Sequence, residues 1–591
     1  MTRHLRIATT LVAASITHAY AAPAATTPIQ HVIVVVGENH TFDNLFGTYQ
    51  PKRKGQKVQN LLSRGIVNAD GSPGPNFGLA AQAVGADKGT YAASTNSVGK
   101  YATLPQPYTT YGIGLPEGVP DTRFPDDMPN GPYQISRYVP YAAYTGDPVH
   151  RFFQMWQDVD GGLHDKFVWV EETIGTGSNG VAPPPGGFNP KEGAISMGFY
   201  NMNPYVDAHG VASTGDAPIF RQLADSYALS DNYHQAIMGG TGANFQALVT
   251  GDAAFFTNLD GTAGVPYGNQ IENPNAWKGT NNYYRQDGYG GGSYVNCSDP
   301  KAPGVAGVMA ELATQHVRNA NCDLGHYYLV NNYSMYWNPD GTTKTLGSDQ
   351  FVLPPQTIPT VGDMLAAQGV SFKYYSADRG DDPTRFANDV DGVPLLFHSY
   401  CGICDPLTGY TKTMTTSQKD QLQSYGAFLD DVHGGTLPAV SFVRPFEALA
   451  GHPADSTTDQ YELFLQDLIN QVQGNPQLWA STAILITTDE GGGYYDSGYI
   501  QAVDFFGDGT RIPMLAISPW AKKGVVDHTY NDHASVLKFI EANWALPPLS
   551  TRSRDNLPNP VVTKGNPYKP VNAPAIGNLM TMFDFSQAAA R

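Results

Sequence analysis

The chain has 591 residues, of which 41% are hydrophobic, 11% aromatic and 15% charged, with 63 glycines and 44 prolines. This composition excludes a disordered chain and indicates long ordered loops around a large core. The net charge of -18, without any run rich in lysine and arginine, argues against nucleic acid or an anionic membrane as a partner.

Residues 1–21 have the features of a signal peptide. Two arginines precede an apolar stretch at residues 7–16, and an Ala-Tyr-Ala cleavage site follows at residues 19–21. No later segment is apolar for long enough to span a bilayer. We therefore expect an exported protein, periplasmic or extracellular, whose residues 22–591 form a single domain.

Short apolar runs rich in β-branched residues predict strands, and segments between them predict helices. The predicted strands are residues 32–36, 438–443, 482–487 and 512–518. The predicted helices are residues 242–249, 459–472 and 533–544. This alternation favours an α/β fold with a mostly parallel central sheet, flanked by helices on both faces. Ligands of such sheets bind beyond the carboxyl ends of the strands.

Three segments rich in Gly, Pro, Tyr or Asn interrupt this alternation. Residues 51–150 and 252–358 are predicted to be loop-rich insertions that pack over the core and form walls of a site. Residues 549–591 are predicted to wrap around the surface as a C-terminal tail.

Four cysteines are present, and in an oxidising compartment an even number favours disulfides. Three pairings are possible. We favour Cys297–Cys322 and Cys401–Cys404, because each closes a local loop. A redox-active Cys-Gly-Ile-Cys motif is the alternative, but this motif does not open a helix after a strand as thioredoxin-type sites do.

Polar residues follow the first predicted strand at residues 38–41, Glu-Asn-His-Thr. Three interpretations are open: metal or catalytic chemistry, a glycosylation acceptor of the Asn-x-Thr type, or an ordinary polar loop. The same pattern recurs after the strand at 482–487, where Asp489 and Glu490 precede three glycines. That segment alone is equally consistent with a glycine-rich turn.

If the two strands are neighbours in a parallel sheet, Glu38, Asn39, Asp489 and Glu490 converge. Three crowded carboxylates repel one another unless a cation neutralises them. Oxygen ligands suit a hard divalent ion such as Mg²⁺, Ca²⁺ or Mn²⁺. We therefore predict a metal site composed of these four residues.

Thr241 lies in a Gly-Gly-Thr-Gly segment at the start of a predicted short helix. A hydroxyl there is located where the helix N-terminus favours an anion, and a nearby metal would make it a nucleophile. The alternative is that Thr241 is an ordinary helix N-cap.

Three motifs together resemble the bacterial phosphoesterase family, which contains non-specific phospholipases C and an acid phosphatase of the alkaline-phosphatase superfamily. The motifs are ENHTFD at residues 38–43, SDNYH with GGTGAN within residues 230–244, and DEGGGYYD at residues 489–496. Further similarity at residues 151–157, 451–453 and 517–524 keeps the family's order over roughly residues 28 to 547.

The resemblance implies an alkaline-phosphatase-like fold and the same four metal ligands. It implies that Thr241 is the nucleophile and forms a phosphothreonine, and that His452 binds phosphate or protonates the leaving group. His398 matches a second histidine position, although the family usually shows two adjacent histidines there. His40 replaces the family's usual arginine, and we leave its role open.

The resemblance therefore predicts a secreted, metal-dependent phosphoesterase of the acid phosphatase or phospholipase C type. Its expected partners are small phosphate esters, including phospholipid head groups. A sulfatase is disfavoured, because none of the four cysteines lies in a C-x-P-x-R context. The alternative is a secreted binding or surface protein that keeps the fold without turnover, which the altered residue at position 40 and the unpaired His398 favour.

Overall fold

A computed structural model describes residues 23–86, 90–109, 119–173, 192–275, 291–381 and 400–586. The predicted signal peptide and His398 lie outside these described residues.

Eight strands form the central sheet. They are β1 His31–Gly37, β2 Ala228–Ser230, β3 Phe372–Ser376, β4 Leu422–Gln423, β5 Val440–Arg444, β6 Thr482–Thr488, β7 Met514–Ile517 and β8 Val525–Asp527. Their order across the sheet is β4-β3-β5-β1-β6-β7-β2-β8. All neighbours are parallel except β7, which is antiparallel to both β6 and β2. The predicted mostly parallel sheet is confirmed.

The helices of the described ranges are mostly short. They are α1 Phe42–Phe46, α2 Phe152–Val159, α3 Phe167–Thr173, α4 Pro218–Ser226, α5 Thr241–Thr250, α6 Val305–Thr314, α7 Val361–Ala367, α8 Thr411–Thr415, α9 Tyr425–Gly434, α10 Thr458–Gln473, α11 Pro476–Trp479 and α12 Ala534–Trp544. The three predicted helices correspond to α5, α10 and α12. None of the helices in the described ranges has both the length and the apolar character needed to cross a membrane.

Strand β1 is buried from both sides, as its continuous apolar sequence predicts. Val32, Val34 and Val36 pack in one apolar cluster with α12. Ile33 and Val35 pack in the opposite cluster with α10. Successive side chains of a strand point to opposite faces, so helices cover both faces of the sheet.

Outside the central sheet, short strand pairs and single-turn 3-10 helices order many of the long loops. The pairs are Ala83–Gly85 with Ser97–Lys100, Tyr108–Thr109 with Val119–Pro120, Tyr133–Gln134 with Gly198–Phe199, Tyr205–Val206 with Ala212–Ser213, Tyr233–His234 with Asn531–Asp532, Tyr294–Val295 with Tyr328–Leu329, and Ser334–Met335 with Val352–Leu353. The described part of the tail packs inward at Arg554, which pairs with Asp504 and Asp508.

Both predicted disulfides are present. Cys297–Cys322 has its Cα atoms 5.6 Å apart and lies in the second insertion. Cys401–Cys404 has its Cα atoms 5.3 Å apart and lies beside the carboxyl end of β1, where Cys404 Sγ is 3.4 Å from Glu38 Oε1.

Candidate active site

The carboxyl ends of β1 and β6 bring two pairs of polar residues together. The strands are parallel neighbours and stay paired to their last residues. Glu38 and Asn39 follow β1, Asp489 and Glu490 follow β6, and all four residues are buried. The backbone N–H of Asn39 donates to Asp489 Oδ1 at 3.2 Å, so the two loops are joined directly.

Two oxygen atoms at this junction have no hydrogen-bond donor among the described residues. They are Asn39 Oδ1 and Asp489 Oδ2. The other oxygen of Asp489 accepts from the backbone N–H groups of Asn39 and Glu490, and burial raises the pKa of Asp489 to about 6. A buried acceptor without a donor costs about 1–3 kcal/mol. Such orphaned oxygens are suited to a cation.

Glu38 is held by an arginine from the neighbouring strand. Arg444, the last residue of β5, makes an ion pair with Glu38 Oε1 and a second one with Glu447. Burial raises the pKa of Glu38 to about 8, although the Arg444 charge opposes that rise. The second carboxylate oxygen, Oε2, lies 3.9 Å from His452 Nε2 and faces the other site residues.

Thr241 is the first residue of α5, and its hydroxyl faces the carboxylates. Its Oγ1 donates to Glu490 Oε1 at 3.3 Å, and the side chain is 2% exposed. The N-cap of α5 is Gly240, so the alternative interpretation of Thr241 as the helix cap is wrong. The cap position precedes the first helical residue, and the preceding glycine occupies it.

His452 joins this group from the loop before α10. Its Nε2 lies 3.0 Å from Asn39 Nδ2, and its Nδ1 lies 2.7 Å from the backbone oxygen of Pro453. Burial lowers the pKa of His452, but the carboxylates of Asp147 and Glu38 outweigh it and raise the pKa to about 10.

Asp147 and His150 complete the group from the end of the first insertion. Ligand atoms of Asp147, His150 and His452 all lie within 4.8 Å of one another. His150 Nε2 is 3.9 Å from Glu490 Oε1, and Nδ1 lies 2.6 Å from the backbone oxygen of Pro148. Burial lowers the pKa of His150 to about 3, so its ring is neutral.

The glycines after Glu490 allow the close approach of these segments. A Cβ atom on Gly492, whose φ is +57°, would lie 2.5 Å from Asn39 Cβ. A Cβ atom on Gly493, whose φ is +74°, would lie 2.2 Å from the backbone oxygen of Val149. Only glycine combines a positive φ with this space, so the glycine-rich stretch is a packing requirement of the site.

The terminal acidic residues of two motifs have a structural role. Arg511 donates from Nε and Nη2 to Asp496 at 2.8 and 2.9 Å, and its Nη2 lies 3.2 Å from Asp43 Oδ2. All three side chains are buried. The arginine therefore fastens the segment after β1 to the segment after β6, outside the group of candidate catalytic residues.

His40 and Thr41 are also structural. His40 Nε2 lies 2.9 Å from the backbone oxygen of Gly451, and burial lowers the pKa of His40 to about 4. Thr41 caps α1 by accepting from Asn44 N at 3.1 Å. The glycosylation interpretation is disfavoured as well, since the acceptor Asn39 is fully buried.

A model described as the phosphoesterase family matches residues 29–547. This chain belongs to the phosphoesterase family. The match includes every described candidate residue, from Glu38 to Glu490.

Three relatives illustrate the range of this family. A non-hemolytic phospholipase C of Burkholderia pseudomallei is 25% identical over 68% of this chain and 49% of its own length. Phospholipase C B of Mycobacterium tuberculosis is 23% identical over 90% of this chain and 77% of its own length. A probable acid phosphatase of Kluyveromyces lactis is 25% identical over 36% of this chain and 47% of its own length. The chain thus spans about half the length of the Burkholderia relative.

Sequence reasoning missed Asp147 and His150. They belong to no predicted helix or strand, and they lie at the end of an insertion that had been interpreted only as a wall. One signal could have revealed them, because they immediately precede the family-like segment at residues 151–157. His398, the remaining predicted site residue, lies outside the described residues.

Proposed function

We propose that this phosphoesterase-family chain hydrolyses phosphate esters, in the manner of an acid phosphatase or phospholipase C, through a phosphothreonine intermediate. The observation that carries the proposal is the hydroxyl of Thr241, which lies at the start of α5 within hydrogen-bond distance of Glu490. Membership of the phosphoesterase family and the names of its relatives support the reaction type.

Glu38, Asn39, Asp489 and Glu490 are the residues that we propose to bind a divalent cation. The donor set contains only carboxylate and amide oxygens, and two of these oxygens are buried without a donor among the described residues. Ca²⁺, Mg²⁺ and Mn²⁺ fit such a set. When bound, the cation would neutralise the crowded carboxylates and stabilise negative charge on the reacting oxygens.

In the proposed mechanism, Thr241 Oγ1 attacks phosphorus in line with the leaving alkoxide. Glu490 Oε1 accepts the hydrogen bond of this hydroxyl and is positioned to take its proton. The partial positive charge at the start of α5 favours the phosphoryl group there. Water then hydrolyses the phosphothreonine and regenerates the hydroxyl.

Two histidines are proposed to serve the leaving group and the water. His452 would protonate the leaving alkoxide or bind a phosphoryl oxygen. His150 is neutral, with Nδ1 directed to the Pro148 carbonyl, so its Nε2 can accept a hydrogen bond from water and orient it. His398 remains a proposed second phosphate-binding histidine.

We also propose that the protein is exported to the periplasm or beyond. The signal-peptide pattern in residues 1–21 and the two disulfides support this location. Its proposed substrates are small phosphate esters, and phospholipid head groups belong to the same chemical class.

A substrate panel tests the proposal. A chromogenic phosphomonoester, a phosphodiester and phosphatidylcholine are incubated with the protein, with and without a chelator. We expect hydrolysis of at least one of them, its loss on chelation, and its return when Ca²⁺, Mg²⁺ or Mn²⁺ is added back. Absence of hydrolysis with every metal would favour the binding protein, and chelator-resistant hydrolysis would contradict the metal proposal.

A further inference from the structure

Two consecutive asparagines of the second insertion reach the candidate site. Asn331 and Asn332 follow the short strand Tyr328–Leu329, and both side chains are fully buried. Neither lies in a motif of the sequence analysis, and the mechanism above does not use them.

Asn332 packs against the start of α5. Its Oδ1 accepts from the backbone N–H of Gly242 at 2.6 Å. A Cβ atom on Gly240 would lie 2.9 Å from Asn332 Nδ2, and one on Gly242 would lie 3.2 Å from Asn332 Oδ1. The side chain therefore contacts the residues on both sides of Thr241.

Asn331 links the same region to the segment that carries His150. Its Oδ1 accepts from the backbone N–H of Phe152 at 2.9 Å, and Phe152 begins α2 two residues after His150. Its backbone oxygen lies 3.5 Å from the Cβ position of Gly242. The asparagine pair thus contacts both the start of α5, which carries Thr241, and the start of α2, which follows His150.

The amide nitrogens of both asparagines have no acceptor among the described residues. The orientation of each amide is determined by its oxygen, because that oxygen must face a backbone N–H, which leaves the NH₂ group directed elsewhere. A buried donor without an acceptor costs free energy, and beside a candidate active site a bound substrate can supply the missing acceptor.

We propose that the side-chain amides of Asn331 and Asn332 donate hydrogen bonds to the phosphoryl oxygens of the substrate. This inference rests on the proposed function, since it takes Thr241 as the nucleophile. A phosphoryl group in transfer carries negative charge on three equatorial oxygens, and neutral donors fixed beside the nucleophile stabilise that charge. Their oxygens hold α2 and α5, which keeps the donors in place without reorganisation.

A purely structural role of Asn332 predicts a different result from donation to the substrate. Holding Gly242 needs only the Oδ1 acceptor, so loss of the NH₂ group would leave turnover intact. Donation to substrate needs the NH₂ group itself. Asn332→Asp retains an acceptor for Gly242 and removes the amide donor, whereas Asn332→Leu keeps the approximate size and removes both without adding charge.

The experiment measures kcat/KM of the metal-supplied protein for a chromogenic phosphomonoester. We expect Asn332→Asp and Asn332→Leu to lower kcat/KM by about 100-fold or more, the usual loss for one such donor. Gln246→Glu is the charge-matched control, because it adds a buried carboxylate to α5 outside the proposed machinery. The kcat/KM of this control should stay within about tenfold of the wild type, which is a much smaller loss than that expected on removing the amide donor.

The inference would be overturned if Asn332→Leu kept kcat/KM within threefold of the wild type. At 1.36 kcal/mol per tenfold, threefold corresponds to about 0.7 kcal/mol. If Asn332→Leu does not fold, the comparison of Asn332→Asp with Gln246→Glu decides, and equal losses overturn it.

Binding of inorganic phosphate, measured by calorimetry, separates this inference from the proposed function. If the wild type hydrolyses the ester and Asn332→Leu has the same activity and phosphate affinity, only the inference about the asparagine donors is contradicted. A wild type that neither hydrolyses the ester nor binds phosphate contradicts both. The wild type could also bind phosphate without hydrolysing the ester. If Asn332→Leu then weakens that binding, the result supports the asparagine donors and contradicts the proposed hydrolase function.

Discussion

At the scale of single residues, close backbone contact around Gly493 determines where Asp147 and His150 lie. The Cβ position of Gly493 is 2.2 Å from the backbone oxygen of Val149 and 2.9 Å from Pro148 Cβ. No side chain larger than hydrogen fits there without moving residues 147–150. The position of two candidate catalytic side chains therefore depends on a glycine that packs against Pro148 and Val149, the two residues between them.

Gly493→Ala should lower turnover strongly even under conditions where the variant remains folded. The Cβ atom would push residues 147–150 outward, and a shift of about 1 Å in catalytic groups costs about 100-fold in rate. Forcing alanine to a φ of +74° costs a further 1–3 kcal/mol of stability, roughly. Enzyme assays and thermal unfolding check both effects.

Gly78→Ala is the matched control for that substitution. No heavy atom lies within 4 Å of the Cβ position of this exposed glycine, so both activity and unfolding should be nearly unchanged. Equal turnover by Gly493→Ala and Gly78→Ala would show that the 147–150 segment does not need this contact.

The chemistry of single residues was only partly predictable from sequence. Glu38, Asn39, Asp489 and Glu490 could be predicted to converge because each pair directly follows a buried strand. The two orphaned oxygens could not be predicted, because hydrogen-bond satisfaction depends on contacts between residues that are distant in the chain.

At the scale of elements, α10 supports the sheet and carries a buried acid. Glu462 accepts from the backbone N–H of Phe220 at 2.7 Å and from the hydroxyl of Tyr141 at 3.2 Å. Burial raises the pKa of Glu462 from 4.5 to about 8. The folded protein therefore keeps this carboxyl protonated at pH values where the unfolded chain ionises it.

The raised pKa gives a pH-dependent prediction for α10. The stabilising effect is fully present below pH 4.5 and is lost as the pH rises towards 8, because the unfolded chain then releases a proton that the fold retains. Glu462→Gln keeps an acceptor for Phe220 and does not ionise. From pH 5 to pH 7, its free energy of unfolding should rise by about 3 kcal/mol relative to the wild type.

Denaturant unfolding of both proteins at the two pH values measures this difference. Contributions of other titrating groups are common to both proteins and cancel in the comparison. A difference that stays constant between pH 5 and pH 7 would mean that Glu462 ionises alike in the folded and unfolded states.

Elements with strong patterns were predictable, and those with mixed sequences were not. β1 and β6 are continuous apolar runs, and α10 has an apolar face with clear ends. β3 reads Phe-Lys-Tyr-Tyr-Ser and was missed, because aromatic and polar residues there do not form an apolar run. The antiparallel direction of β7 was also beyond prediction, since a strand buried on both faces has the same composition in either direction.

At the scale of the whole molecule, the candidate site is assembled from segments that lie far apart in the chain. The end of β1, the end of the first insertion, the start of α5, the loop before α10 and the end of β6 supply it. Residues 331–332 of the second insertion contact it through Phe152 and Gly242. A sheet edge accounts for the segments that follow strands. The insertions follow no periodic pattern, so their contributions emerge only from the folded chain.

The central claim is that Thr241 becomes phosphorylated during turnover. The direct measurement is acid quenching of the metal-supplied protein with a phosphomonoester, followed by mass spectrometry of the peptide that contains Thr241. We expect one added phosphoryl group in the wild type and in Thr241→Ser, and none in Thr241→Ala, together with loss of turnover in the alanine variant. Turnover by Thr241→Ala at a near wild-type rate, or a phosphoryl group on another residue, would contradict the account.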